Sequence, residues 1–228
     1  MLVSDRTDIA LLRVLQLASP ALPIGGYAYS QGLEYAVEQA WVSDLDSAAA
    51  WLDGVAKRAL GQLDIPVLLR QFAALQAGDL EAVHRWNDWL LANRETAELY
   101  LEDSQQGGAL LRLMISLEMP AALEWPKGEA IALMTAFAIA GSHWQIDVRS
   151  LAHGVLWSWL ENQVGAATKL VPLGQTDAQR LLGLLLPGLP LIVDAASQLE
   201  DDELGAGLPG LAFASARHEH QYTRLFRS

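Results

Sequence analysis

From Asp44 onward the apolar residues recur at spacings of three and four, and no stretch of the chain sustains the alternation of a half-buried strand. Trp51, Leu52, Val55 and Ala59 fall on one helical face, and Val83, Trp86 and Leu90 on another. Residues 130–140 are apolar almost all round, the pattern of a helix enclosed by its neighbours. β-Branched residues are sparse. The periodicity predicts an all-α fold: a single-domain bundle of about ten helices with a flexible C-terminal tail. A chain of 228 residues can bury a core large enough to stand without staples.

Capping and breaking residues punctuate that pattern. Asp8 is predicted to cap a first helix carrying Ile9, Leu11, Leu12 and Leu15, which Ser19-Pro20 ends. Ser30 is predicted to cap a short helix, Gln31 to Gln39, with Glu34 in its first turn. Asp44 or Asp46 opens the next helix, and Asp64-Ile65-Pro66 is expected to restart the chain. Gly78-Asp79 reads as a stop and a start, and Gly107-Gly108 as a kink inside a helix from about Glu95 to Leu117. Asp147 or Ser150 opens a helix that runs through Ala167. Thr176 to Gln179 matches a capping box, and the helix behind it stops at Pro187. Asp201 to Gly210, with three glycines and Pro209, reads as a flexible linker. The predicted division is a helical domain over residues 1–212 and a partner-binding tail over 213–228.

Charge separates the tail from the body. The chain carries 15 Lys and Arg against 27 Asp and Glu, a net −12. Its last fourteen residues hold three Arg and one Glu, so the rest bears −14. Arg217, Arg224 and Arg227 stand with Tyr222, Leu225 and Phe226, residue types enriched in buried protein contacts. Such a tail either docks a partner or folds back on the acidic body. The overall acidity argues against nucleic-acid binding and favours basic partners or cations. There is no Cys, which excludes disulfides and thiolate chemistry. No signal peptide is visible, and the long apolar stretches are too short or broken by Pro187 and Pro190. A soluble cytoplasmic protein without a membrane partner is expected.

No catalytic constellation emerges. The Gly25-to-Gly32 loop lacks the Gly-Lys-Ser/Thr of a phosphate loop, and Ser30 has no nucleophile-elbow context. A tight helix connection explains its glycines but not Tyr27, Tyr29 and Ser30 beside them. His218 and His220 would diverge on a helix, since residues two apart do not share a face. Glu95, Glu98 and Asp201 to Glu203 read as solvated charge. Lys169 leaves a helix in an apolar segment, where the dipole alone favours it. No catalytic, cofactor-binding or metal residue is assigned.

Three stretches together resemble the urease accessory protein UreF family. They are Leu15 to Glu34 (LQLASPALPIGGYAYSQGLE), Lys169 to Gln175 (KLVPLGQ), and Ser215 to Ser228 (SARHEHQYTRLFRS). Arg94 to Leu99 (RETAEL) fits as well, so the likeness spans essentially the whole chain. The resemblance implies an all-helical homodimer without enzymatic activity. It would bridge the accessory protein UreD (also called UreH) to the nickel-carrying GTPase UreG, for nickel delivery to apo-urease. Carried over residue by residue, Tyr27 and the tail around Arg224 belong to the UreD-facing surface, and Glu34 and Lys169 face the GTPase. The candidate partner-binding set is Tyr27, Ser30, Glu34, Lys169, Arg217, His218, Glu219, Tyr222, Arg224, Leu225, Phe226 and Arg227. Two alternatives stand beside the adaptor: a GTPase-activating protein inserting Arg217 or Arg224, and a direct nickel carrier using His218 and His220.

Overall fold

The computed structural model describes residues 3–205 and 207–228, with the side chains described from residue 7 onward. Among these residues the architecture is all-helical. It runs α1 (Val3–Leu17), α2 (Leu33–Glu38), α3 (Leu45–Val55), α4 (Ile65–Ala77), α5 (Leu80–Ala92), α6 (Ala97–Ser116), α7 (Pro120–Leu123), α8 (Leu133–His143), α9 (Val148–Leu170), α10 (Gln175–Leu185), α11 (Leu189–Ala196) and α12 (Pro209–His218). A π-helical stretch, Ala56–Asp64, joins α3 to α4, and a 3-10 turn, Leu186–Gly188, joins α10 to α11. Twelve α-helical segments thus make ten continuous helices.

The all-apolar segment becomes the hub. Every residue from Met134 to Gly141 on α8 is buried, and α4, α6, α7 and α9 pack around it. Its one polar residue, Thr135, is satisfied inside: Gln71 donates to its hydroxyl (2.6 Å), which donates to Asn87 (3.0 Å). Gly107 sits within the unbroken span of α6. It lets α6 pass against the chain ahead of α8, where a Cβ would lie 2.1 Å from the Ile131 carbonyl oxygen.

Several predicted boundaries hold locally. Asp44 caps α3 in a reciprocal box with Ser47, Asp79 caps α5, and Asp147 caps α9. Others are overruled by packing. The chain does not restart at Asp64, because the π stretch runs straight into α4. Pro66 has no N–H for the carbonyl of Gln62 four residues earlier, and that carbonyl accepts from Gly205 instead. Asp8 lies inside α1 rather than at its start. The α1 strip is also turned outward: α1 meets the body through Val14 and Leu17, while Ile9, Leu11, Leu12 and Leu15 are all more than half exposed. Gly174, not Thr176, precedes α10.

The α10–α11 rod, Gln175–Ala196, is long and apolar enough to cross a membrane by length and composition. Its inner side (Leu181, Ile192 and Val193) is buried, and α9 and the π stretch contact it.

The linker and tail differ most from expectation. Asp201–Glu203 forms a 3-10 turn held by Arg70, whose Nε donates to Asp201 (2.6 Å), and the Gly205 N–H donates to the Gln62 carbonyl (3.1 Å). Ala206, within the predicted linker, lies outside the described residues. Helix α12 then crosses the expected boundary at 212–213, and residues 219–228 lie back along α2 and α6 rather than standing free. Composition reads Gly and Pro as slack, but buried carboxylates give the tail's N–H groups and hydroxyl fixed partners.

Candidate functional site

The site is built on the turn before α2. Gly25 takes a left-handed φ of 75°, and Gly26–Ala28 makes one 3-10 turn that leaves the Tyr27 ring 73% exposed. Asn162 of α9 pins this turn by donating to the carbonyls of Gly26 (3.0 Å) and Tyr29 (3.3 Å). Gly32, with φ of 74°, lets α12 approach: a Cβ there would meet Ala214 Cβ and the Ser215 nitrogen at 3.0 Å.

That approach brings the tail onto a row of carboxylates. Glu34 accepts from the backbone N–H groups of Leu225 (2.6 Å) and Phe226 (2.9 Å). The His218 ring is fully buried, with Nε2 3.1 Å from Glu34 and Nδ1 2.8 Å from Glu98. Glu98 also accepts from Arg224 Nη1 (2.6 Å). The Ser228 hydroxyl donates to Glu102 (2.7 Å), the Ser30 N–H donates to the Ser228 carbonyl (2.8 Å), and the Arg227 N–H donates to Ala28 (2.8 Å). Lys169, at the end of α9, places its ammonium 5.4 Å from the centroid of the buried Phe226 ring.

Beside this latch lies a cavity of about 320 Å³ whose lining includes Tyr27, Asp64, Arg94, Glu102, Asp103 and Lys169. Tyr27 and Lys169 are exposed, so the cavity opens on their side. Inside it Arg94 is clamped between two carboxylates, bidentate on Asp64 (2.5 and 3.2 Å) and through Nε on Asp103 (2.8 Å). The π stretch and the first half of α6 supply those two acids. Burial raises the Asp103 carboxyl, with Arg94 opposing. Burial also pushes Glu102 up to about 7, against bonds from Ser228 and Gln31 that favour its ionised form.

The structure therefore sorts the candidates. Ser30, Glu34, His218 and Phe226 are buried in the latch, while Tyr27, Lys169, Arg217, Glu219, Tyr222, Arg224, Leu225 and Arg227 reach solvent. Glu34 and Lys169, which the resemblance sets apart from the tail, both touch it. Arg224 is already committed to Glu98. Glu98 is not solvated charge but a buried partner of His218 and Arg224, and Asp201 is paired with Arg70. His218 and His220 diverge, one buried and one exposed. Among the described residues no three His, Asp or Glu are grouped to hold a metal ion. The Arg94–Asp64–Asp103 clamp escaped sequence reasoning, because Asp64 looked like a cap and its partners lie 30 and 39 residues away.

A family model for UreF matches residues 42–185. A urease accessory protein UreF from Teredinibacter turnerae is 52% identical over 218 residues, covering 96% of this chain and 98% of that protein. The corresponding protein of Alkalilimnicola ehrlichii is 50% identical over 231 residues and covers both chains fully. That of Pseudomonas entomophila is 51% identical over 222 residues, 97% of this chain and 99% of its own.

The chain belongs to the UreF family. The matched segment begins at Val42, beyond the Gly-Tyr turn, and ends at Leu185, before α12 and the tail. The latch thus joins the Gly-Tyr turn and the tail, on either side of that segment, to Glu98, Glu102 and Lys169 within it, and the full-length relatives cover nearly all of the chain.

Proposed function

We propose that this UreF-family chain serves urease maturation as a non-catalytic adaptor, bridging UreD (UreH) to the GTPase UreG so that nickel reaches apo-urease. The observation that carries the reading is the way the tail is seated. Its backbone N–H groups donate to Glu34 and Ala28 and its Ser228 hydroxyl to Glu102, while Tyr222 and Leu225 are left facing solvent, as are Tyr27 and Lys169. A surface of exposed aromatic, aliphatic and basic groups on a fixed backbone suits protein recognition, because little ordering remains to be done on binding. In this reading Tyr27, Tyr222, Leu225 and Arg227 face UreD, and Lys169 faces UreG at the edge of the same surface. Ser30, Glu34, His218, Arg224 and Phe226 act by holding the tail in place, and Arg217 and Glu219 lie at its root.

The adaptor works in the cytoplasm as a homodimer that engages neither membrane nor nucleic acid. The outward apolar strip of α1 is the kind of face a second copy would cover.

Co-purification tests the assignment. Leu225→Ala together with Tyr222→Ala should abolish capture of UreD, and Lys169→Ala should weaken capture of UreG, each with an unchanged melting temperature within a degree or two. Normal capture of both partners by both variants would overturn the reading.

A further inference from the structure

A second aromatic surface lies outside both the cavity lining and residues 219–228. Tyr35, Trp41, Trp51 and Phe213 come from α2, the turn behind it, α3 and α12, with ring centroids 5.8 to 6.4 Å apart. Trp41 is 44% and Phe213 47% exposed. The turn spends strain to present Trp41. Helix α2 ends in a Schellman motif, with Ala40 N–H on Val37 and Trp41 N–H on Ala36 (both 2.9 Å). The position that favours glycine is held by Ala40 at φ 55°.

Arg217 completes the patch. Its guanidinium carbon lies over the Phe213 ring, 5.3 Å from the centroid and within cation–π range. None of the described carboxylates pairs with it, although the body is strongly acidic and Arg70, Arg94, Arg149 and Arg224 all have acid partners. Among the described residues neither the guanidinium edge nor the Trp41 indole N–H has an acceptor, and both side chains are exposed. An arginine held over an aromatic ring with its fork free can take a carboxylate in the plane of the group.

We propose that this patch docks a segment of another protein in which an acidic residue stands beside an apolar one. The carboxylate would sit on Arg217, and the apolar side chain on the Trp41 and Phe213 rings. The inference is independent of which protein meets the tail and Tyr27, since it shares no residue with them other than Arg217 at the root of the tail.

Fluorine NMR on the full chain labelled with fluorotryptophan tests it, with the Trp41 resonance assigned by Trp41→Phe. The probes are a short synthetic peptide with a Glu-Leu-Asp-Phe-Glu core and its twin with Gln and Asn in place of the acids. The acidic peptide is expected to shift the Trp41 resonance saturably, and the twin to bind about tenfold more weakly, as loss of a charge-assisted contact implies. Arg217→Gln, an exposed substitution that leaves the core untouched, should bring the acidic peptide down to the affinity of its twin. No saturable shift, or equal affinity for both peptides, would overturn the proposal. So would a Trp41 resonance that moves with protein concentration alone, because a second copy would then be the occupant.

Discussion

The Lys169 ammonium lies over the Phe226 ring, 5.4 Å from its centroid, joining the end of α9 to the tail. A contact of this kind at an exposed cation is worth about 0.5–1 kcal/mol. Lys169→Ala is therefore expected to cost less than about 1 kcal/mol in a urea titration. Amide exchange at Leu225 and Phe226 should speed up in the same variant. If Lys169 only offsets the α9 dipole, exchange in the tail will not change.

Glu34 is the tail's main acceptor, taking two backbone N–H groups and one side of His218. Glu34→Ala leaves those donors buried and unpaired, which should cost about 3–5 kcal/mol. The helical circular dichroism should persist while residues 219–228 become open to protease. Glu34→Gln keeps one acceptor oxygen and should fall between the two.

Glu102 gives the fold a specific pH dependence. Its carboxyl is raised by burial to about 7 from an ordinary 4.5. Between those values the folded chain holds a proton that the unfolded chain has lost, so this group makes stability fall as pH rises through that window and level off above it. Glu102→Gln preserves the acceptor for Gln31 and Gln106 and supplies a donor to Ser228. The variant should match the parent near pH 5 and exceed it by about 2–4 kcal/mol near pH 8. Denaturant midpoints at the two pH values decide this, and a parallel pair of curves would refute it.

Removing Tyr222–Ser228 should now have two consequences at once. It uncovers Glu34, Glu98 and Glu102 and empties the Phe226 site, so the melting temperature should drop along with partner capture. Truncation alone therefore does not separate docking from packing. Tyr222→Ala and Leu225→Ala do, since both side chains point to solvent. They should leave the melting curve in place while capture of UreD fails.

What the sequence determined by itself is local: helices, three of their caps and their approximate number follow from 3.6-residue periodicity and from Asp44, Asp79 and Asp147 acting on the N–H groups nearest to them. The hub helix was legible because a helix without a polar face must be enclosed. The Gly-Tyr turn, Lys169 and the tail, which the resemblance singles out, lie together in the fold. Only the tertiary structure decided which acids are solvated and which are paired. Glu98 and Glu95 look alike in sequence, but only Glu98 faces His218 and Arg224. Asp64 reads as a cap until Arg94, 30 residues on, is folded against it. The tail reads as mobile until Glu34, 191 residues before Leu225, supplies its acceptor. The physical reason is range: capping and periodicity act over a turn or two, whereas a buried charge is settled by whichever distant group the packing brings to it.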